Sequence, residues 1–249
     1  MKKRDKRNRK KKRIGALVKM VLLMVAIGGM CFFSTTDFFN VTGYEVEGNS
    51  YYSKEEILIM GDCETGGNIF WDTKCKRIKD RLSKDAYMEE VKVRRILPSK
   101  VKIYVEERKQ CAAVVYGDNY VVIDQNNIVL RKTNVAPQIP LIQGVTISKL
   151  ELGQGLEIEE KVRFRQIMEL VSILDENDMY FKAIVNSETE VKAFVLDNLA
   201  CEGAPEDLMH SIEGGELQKV IRGLFDREIE RGTVKVSGGN YISFSPEIN

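Results

Sequence analysis

The residue types best suited to chemistry are few here and poorly placed for it. His210 is the single histidine among 249 residues, so a histidine triad or a multi-histidine metal site would rest on one side chain. It stands in EDLMHSIEGG near a helix or loop end, where a surface or capping role is expected. Asp175 and Asn177 in DENDM are two apart, as calcium-loop ligands are, but Met179 fills the next ligand position and no glycine follows. A helix-ending turn is expected there. GDCETGGN (61–68) has glycines without the Lys-Ser/Thr of a phosphate loop and reads as a link between helices. LEIEE (156–160) places three acids within four residues, as a helix start obeying its dipole would. There is no G-x-S-x-G and no H-E-x-x-H. Paired carboxylates acting on cell-wall sugars are the remaining catalytic chemistry, and no spacing selects a pair. No metal, cofactor or small-molecule substrate is expected.

Five cysteines occur. Cys31 lies in an apolar run, leaving Cys63, Cys75, Cys111 and Cys201. An even number permits disulfides, but the spacings are wide and no C-x-x-C occurs, so small buried thiols are the expected reading.

Charge gives a stronger signal. Residues 1–13 hold ten Lys or Arg and one acid, and only Lys19 is charged between Ile14 and Thr36. Of 38 basic and 37 acidic residues this leaves 27 and 36 from Asp37 onward, a net −9 behind an overall +1. The 23 residues IGALVKMVLLMVAIGGMCFFSTT match a hydrocarbon layer of about 30 Å at about 1.5 Å per residue. Lys19 sits about one turn in and can snorkel. A cleaved signal peptide would share the basic head, but the run is long and no A-x-A-like site follows; Met30 before Cys31 argues against a lipoprotein. A nucleic-acid-binding tail would explain the basic head but not the span. The expectation is an uncleaved single-pass anchor with the basic end cytoplasmic and everything from about Asp37 outside.

The elements beyond the span alternate. FNVTGYEVEGN (39–49) reads as a strand ending in a Gly-Asn turn. Ser53, with Glu56 three residues on, has capping-box spacing before Ile57 and Leu58. Asp72 or Thr73 is the expected cap of a second helix carrying Cys75, Ile78 and Leu82, with Phe70 and Trp71 packing where it begins. Val91 and Val93, then Val101, Ile103 and Val105, alternate with polar residues on either side of Pro98. The order is strand, helix, helix, strand, strand, with both helices covering one face of a three-stranded sheet.

In the second half, Phe164, Ile167, Val171 and Leu174 share a helical face, and FKAIVNS and EVKAFVLD form a strand pair around Glu188. Leu217, Val220, Ile221, Leu224 and Phe225 make an amphipathic helix for which Gly232 is the expected stop. TVKVS and NYISFS flank Gly238-Gly239 as a hairpin.

These stretches resemble the FtsQ/DivIB cell-division family. Val46, Gly48 and Asn49; Asn68 and Phe70; Val93, Arg95 and Pro98; and Ile103, Val105, Glu107 and Arg108 match the pattern of its POTRA domain. YVVIDQNNIVLRK and PLIQGV resemble the hairpin and L-x-G-V segments of its β domain, with Asn127 where the family has Gly, a residue that tolerates a left-handed turn. PEDLMHSIEGGELQKV departs from the family's closing helix. The resemblance implies an α+β fold: a basic cytoplasmic tail (1–13), a transmembrane helix (14–36), a POTRA-like βααββ domain (37–109), a mixed α/β domain with a C-terminal strand pair (110–245) and a short tail (246–249). It also implies a non-catalytic divisome scaffold at the division septum, with FtsL and FtsB/DivIC-type proteins as partners received on the last strand and the helix before it. An edge strand can accept a partner strand, and the candidate residues are Thr233, Val234, Lys235, Val236, Tyr241, Ile242 and Phe244. Closure of the domain's own core is the competing role for the apolar ones. A second candidate docking surface comprises Lys92, Arg94 and Arg95, against plain solvation. The alternatives are a membrane-anchored wall hydrolase and another POTRA-bearing envelope assembly factor; the latter needs a run of barrel strands for which there is no room.

Overall fold

Asparagine 68 shows how local chemistry sets the first part of the fold. In the computed structural model, which describes residues 2–187, 189–238 and 241–246, its side-chain oxygen accepts the Phe70 and Trp71 N–H groups at 3.0 and 3.4 Å, and its amide donates to the Ser34 carbonyl at 2.8 Å. Ser34 ends helix α1 (Lys2–Ser34), of which Leu17–Ser34 is long and apolar enough to cross a membrane. The hydroxyls of Ser34, Thr35 and Thr36 each donate at 2.7 Å to the carbonyl three residues back, satisfying acceptors the helix end leaves open.

The chain divides into two compact units, the first comprising 1–83 and 90–107 and the second 84–89 and 108–249. The first contains β1 (Gly43–Glu47), α2 (Lys54–Gly61), α3 (Cys75–Leu82), most of β2 (Met88–Ile96) and β3 (Lys100–Glu107), and its sheet runs β1-β3-β2 with β1 and β3 parallel. Val91, Val101, Ile103 and Val105 are buried with Ile57, Ile78 and Leu82, so the period-2 and helical patterns meet in one core. The capping box forms: the Ser53 hydroxyl accepts the Glu56 N–H and the Glu56 carboxylate accepts the Ser53 N–H at 2.8 Å. That bond holds the Glu56 carboxyl below the usual glutamate range.

Three expectations are corrected here. The first strand begins at Gly43, because Asp37–Phe39 is a 3-10 turn. Helix α3 starts at Cys75 without a side-chain cap, because the Asp72 carboxylate instead accepts the Asn68 N–H at 2.7 Å. Trp71 stays 59% exposed rather than packing where that helix begins.

The second unit is a nine-stranded sheet. Its strands are β4 (Ala112–Tyr116), β5 (Asn119–Ile123), β6 (Val129–Thr133), β7 (Leu141–Gln143), β10 (Ala183–Asn186), β11 (Val191–Phe194), β12 (Leu199–Gly203), β13 (Gly232–Ser237) and β14 (Tyr241–Ser245), and they run in the order β14-β13-β12-β11-β10-β7-β4-β5-β6. A small ribbon pairs β8 (Ile147–Lys149) with β9 (Glu157–Ile158). Helices α4 (Lys161–Glu176), α5 (Pro205–Glu213) and α6 (Glu216–Phe225) place Phe164, Ile167, Leu170, Val171, Leu208, Ile212, Leu217 and Ile221 against Val114, Val121, Val191, Cys201 and Val234 in one core.

Further readings change in this unit. The acids of LEIEE are not a helix start: Glu157 is in a strand, and Glu160 precedes α4 with its carboxylate accepting the Thr146 N–H at 2.9 Å. Helix α6 stops at Phe225, and Gly232 opens β13 instead. β12, not anticipated at all, lies between β11 and β13. The turn at Glu188, Gly239, the first residue Asn240 of the last expected strand and tail residues 247–249 lie outside the described residues.

Candidate partner-binding surfaces

The C-terminal strands differ sharply from each other. β13 pairs parallel with β12 on one side and antiparallel with β14 on the other, so its backbone is occupied. Val234 and Val236 are buried in the core, and Thr233 and Lys235 alternate to the opposite face. Their apolar side chains therefore close the domain. β14 is the end of the sheet, and no further strand pairs with it among the described residues. Opposite Val236 and Val234 in the register stand Ile242 and Phe244, half-buried and packed against the core. Tyr241, opposite Ser237, is 67% exposed. Of the seven residues expected at this surface, Tyr241 and Lys235 are the exposed ones.

The basic trio of β2 separates likewise. Arg95 donates to the Ile69 carbonyl through Nε at 2.6 Å and to the Thr73 carbonyl through Nη2 at 2.9 Å, clasping the 68–73 loop. Lys92 pairs with Glu90 at 2.6 Å and stands 5.6 Å over the Tyr104 ring. Arg94 is exposed. On the same unit Glu45 and Glu47 pair with Lys100 and Lys102, each at 2.6 Å. Glu45 is held low by its hydrogen bond to Lys100. These exposed pairs add little stability, but they offset much of the positive charge a docking face would offer.

Several residues of the family pattern turn out to secure backbone. Gly48 has φ +86, and a Cβ there would lie 2.1 Å from the Val105 carbonyl oxygen. The Glu107 carboxylate accepts the N–H groups of Ser50, Tyr51 and Tyr52. Arg108 donates at 2.8 Å to Asp124, which is 2% exposed and whose other oxygen accepts the Asn126 and Ile128 N–H groups at 2.9 and 2.7 Å. Asn127 takes the left-handed conformation at φ 63 in that turn. The sequence reading missed the Asn68–Asp72–Arg95 loop clasp and the Arg108–Asp124 pair. Asn68, Arg95 and Arg108 stand in the family pattern, but their spacing in the sequence gives no sign of the partners they take.

Reactive groups are muted. Burial pushes the Cys201 thiol up to about 12 and the Cys63 thiol up to about 11, keeping both protonated and poor nucleophiles at neutral pH. Glu45, Glu56 and Glu160 are all held low, the wrong direction for a general acid. His210 is exposed on α5, 3.7 Å from Glu213. The Asn177 amide donates to the Ile173 carbonyl at 2.8 Å, ending α4. No cluster of three metal-ligating side chains occurs among the described residues.

Comparison with known proteins bears on this frame directly. Residues 39–108 match the family model of the FtsQ-type POTRA domain. The chain is 26% identical over 204 residues to the cell division protein DivIB of Clostridium acetobutylicum, covering 80% of each. It is 30% identical over 156 residues to DivIB of Clostridium botulinum, covering 61% of this chain and 60% of the relative. Against DivIB of Bacillus subtilis the match is 26% over 125 residues, 50% of this chain and 48% of that protein. The matched segment spans the β1-β3-β2 sheet and its two helices, so the chain carries an FtsQ-type POTRA domain and is similar over most of its length to the cell-division protein DivIB.

Proposed function

We propose that this chain is a non-catalytic scaffold of the cell-division machinery, anchored in the membrane by Leu17–Ser34 and working outside it by binding other division proteins. The ten basic residues before the span favour a cytoplasmic N-terminus. The family relationship supports a division role and a place at the septum. The partners expected are FtsL and FtsB/DivIC-type proteins, received on the β14 edge. One observation carries that assignment: β14 ends a nine-stranded sheet, with Ile242 and Phe244 facing the core and Tyr241 facing out. An open edge offers main-chain hydrogen bonds to an added strand, and an exposed aromatic beside it supplies a contact that excludes water.

Tyr241→Asp in the full chain tests this, because the exposed ring contributes little to folding. Loss of a contact of about 2 kcal/mol would weaken capture of the FtsL and FtsB/DivIC-type pair by about 30-fold. Phe244→Asp should weaken capture too, but its half-buried ring requires a parallel check of folding. A folded Tyr241→Asp protein that captured the pair at wild-type strength would remove the site assignment. The wider role is tested by depletion beside a fluorescent fusion. Midcell signal with filamentous growth supports it, whereas uniform signal and normal division refute it.

A further inference from the structure

The loop after Gly67 turns one aromatic side chain out of the fold and leaves a second partly exposed. Ile69 is fully buried beneath it, while Trp71 is 59% exposed and Phe70 38%. Exposing a large aromatic ring to water is unfavourable, and a slack loop would let it fold back. This loop is not slack. Its backbone is bonded to the segment just after the span, with the Val41 N–H donating to the Gly67 carbonyl and the Ile69 N–H to the Phe39 carbonyl, both at 2.8 Å. Asn68, Asp72 and Arg95 fix the rest through the bonds described above. The loop that carries both rings is held by at least six hydrogen bonds' worth of local structure.

What lies beside them is the end of the apolar helix. Asn68 donates to Ser34, the last residue of α1. The Phe33 ring is 5.3 Å from Phe39 and 6.1 Å from Phe38, and Phe39 is 5.2 Å from Phe70. Phe38 is itself 59% exposed. Phe33 is the last apolar residue of the span, so it stands at the edge of the hydrocarbon. Phe70 follows Phe33 through Phe39 in an unbroken chain of ring contacts that starts at the end of the span, where the hydrocarbon gives way to the headgroup zone. Tryptophan is favoured in that zone, where its apolar body and N–H meet hydrated headgroups, and phenylalanine rings contribute apolar contact at the acyl boundary just beneath.

We infer that Phe38, Phe70 and Trp71 form an aromatic belt seated in the lipid headgroup layer, continuous with the span, which pins the first unit to the outer membrane surface. This rests on the membrane anchor proposed above. The belt limits how freely the unit swings about residues 35–42, and so the height at which it meets its partners.

The chain provides its own probe, since Trp71 is its single tryptophan. The full-length protein is reconstituted into phosphatidylcholine–phosphatidylglycerol vesicles. One set carries nitroxide on the headgroup, one carries it deep in the acyl chain, and one carries none. Flotation and alkaline extraction are run on the same samples. Headgroup nitroxide should reduce Trp71 emission about two-fold, with less loss from the deep label and weak quenching by aqueous acrylamide, as an interfacial indole requires. A Trp71→Phe protein supplies the tyrosine background. Emission indifferent to both nitroxides and open to acrylamide, in protein that floats and resists extraction, would overturn the belt and leave the anchor standing. Protein that fails to float would overturn the anchor, and the belt with it.

Discussion

Replacing Asp124 by Ala removes a carboxylate that is 2% exposed and accepts three hydrogen bonds, from the Asn126 N–H, the Ile128 N–H and Arg108. Breaking one partner of a buried pair costs about 3–5 kcal/mol, mostly because the other charge is left uncompensated. Two features place this case at the low end. Asn126 is exposed, so its N–H can regain water, and Arg108 keeps Glu89 at 3.4 Å. The expected loss is therefore about 3 kcal/mol, or about 1.5 M in urea midpoint at a typical slope of about 2 kcal/mol/M. Asp124→Asn retains an oxygen for both amides and should lose about half as much. The assay is urea unfolding of the full chain in detergent, followed by far-ultraviolet circular dichroism. A cycle with Arg108→Met and the double change should return a coupling of about 1–2 kcal/mol. An Asp124→Ala cost under about 0.5 kcal/mol, the range of an ordinary surface change, or a cycle that simply adds, would refute the idea that this carboxylate organises the β5–β6 turn.

Two further tests follow from named groups. Cys201, whose thiol burial raises to about 12, stays protonated in the fold while the unfolded chain ionises above its ordinary value near 9. Stability should then fall as pH rises from about 9 towards 12, with a slope that approaches about 1.4 kcal/mol per unit above roughly pH 10, and the difference from Cys201→Ala across that window isolates the slope; equal slopes would refute it. Gly48→Ala meets both a left-handed φ and the Val105 carbonyl oxygen at 2.1 Å, so thermal unfolding should report a loss of about 2–3 kcal/mol, and a neutral outcome would contradict the geometry.

Where the sequence can be read and where it cannot follows from how each element is buried. Val101, Ile103 and Val105 face one core and the residues between them face water, so alternation betrays the strand. Ser53 and Glu56 act across three residues, and so their box is visible as spacing. Leu199, Ala200, Cys201 and Gly203 are buried on both faces of β12, which leaves no alternation to detect. Gly232 looks like a helix stop by composition, yet the chain has already turned at Glu228, with φ 58. The acids at 157–160 suit a helix start locally, but pairing with Ile147–Lys149 draws Glu157 into a ribbon and delays α4 to Lys161. Which of the last two strands is the edge was equally hidden. It depends on β13 lying parallel to β12 across two intervening helices, a long-range pairing that local composition does not encode.

The division of labour between residues has a functional consequence. Gly48, Asn68, Arg95, Glu107, Arg108 and Asp124 are spent on holding backbone, through a close approach, a loop clasp, three capped N–H groups and a buried ion pair. Arg95 has a structural task whatever else it touches: its Nε and Nη2 are bound to two carbonyls of the 68–73 loop. Trp71 on the loop after Gly67 and Tyr241 on the last strand are exposed side chains that the frame does not need. A change at either should leave folding nearly intact while altering what the protein touches. A change at any of the six should alter contacts only by way of stability. Measuring unfolding and partner capture on the same variants separates the two groups, and a Tyr241 variant that lost both together would place its ring in the frame after all.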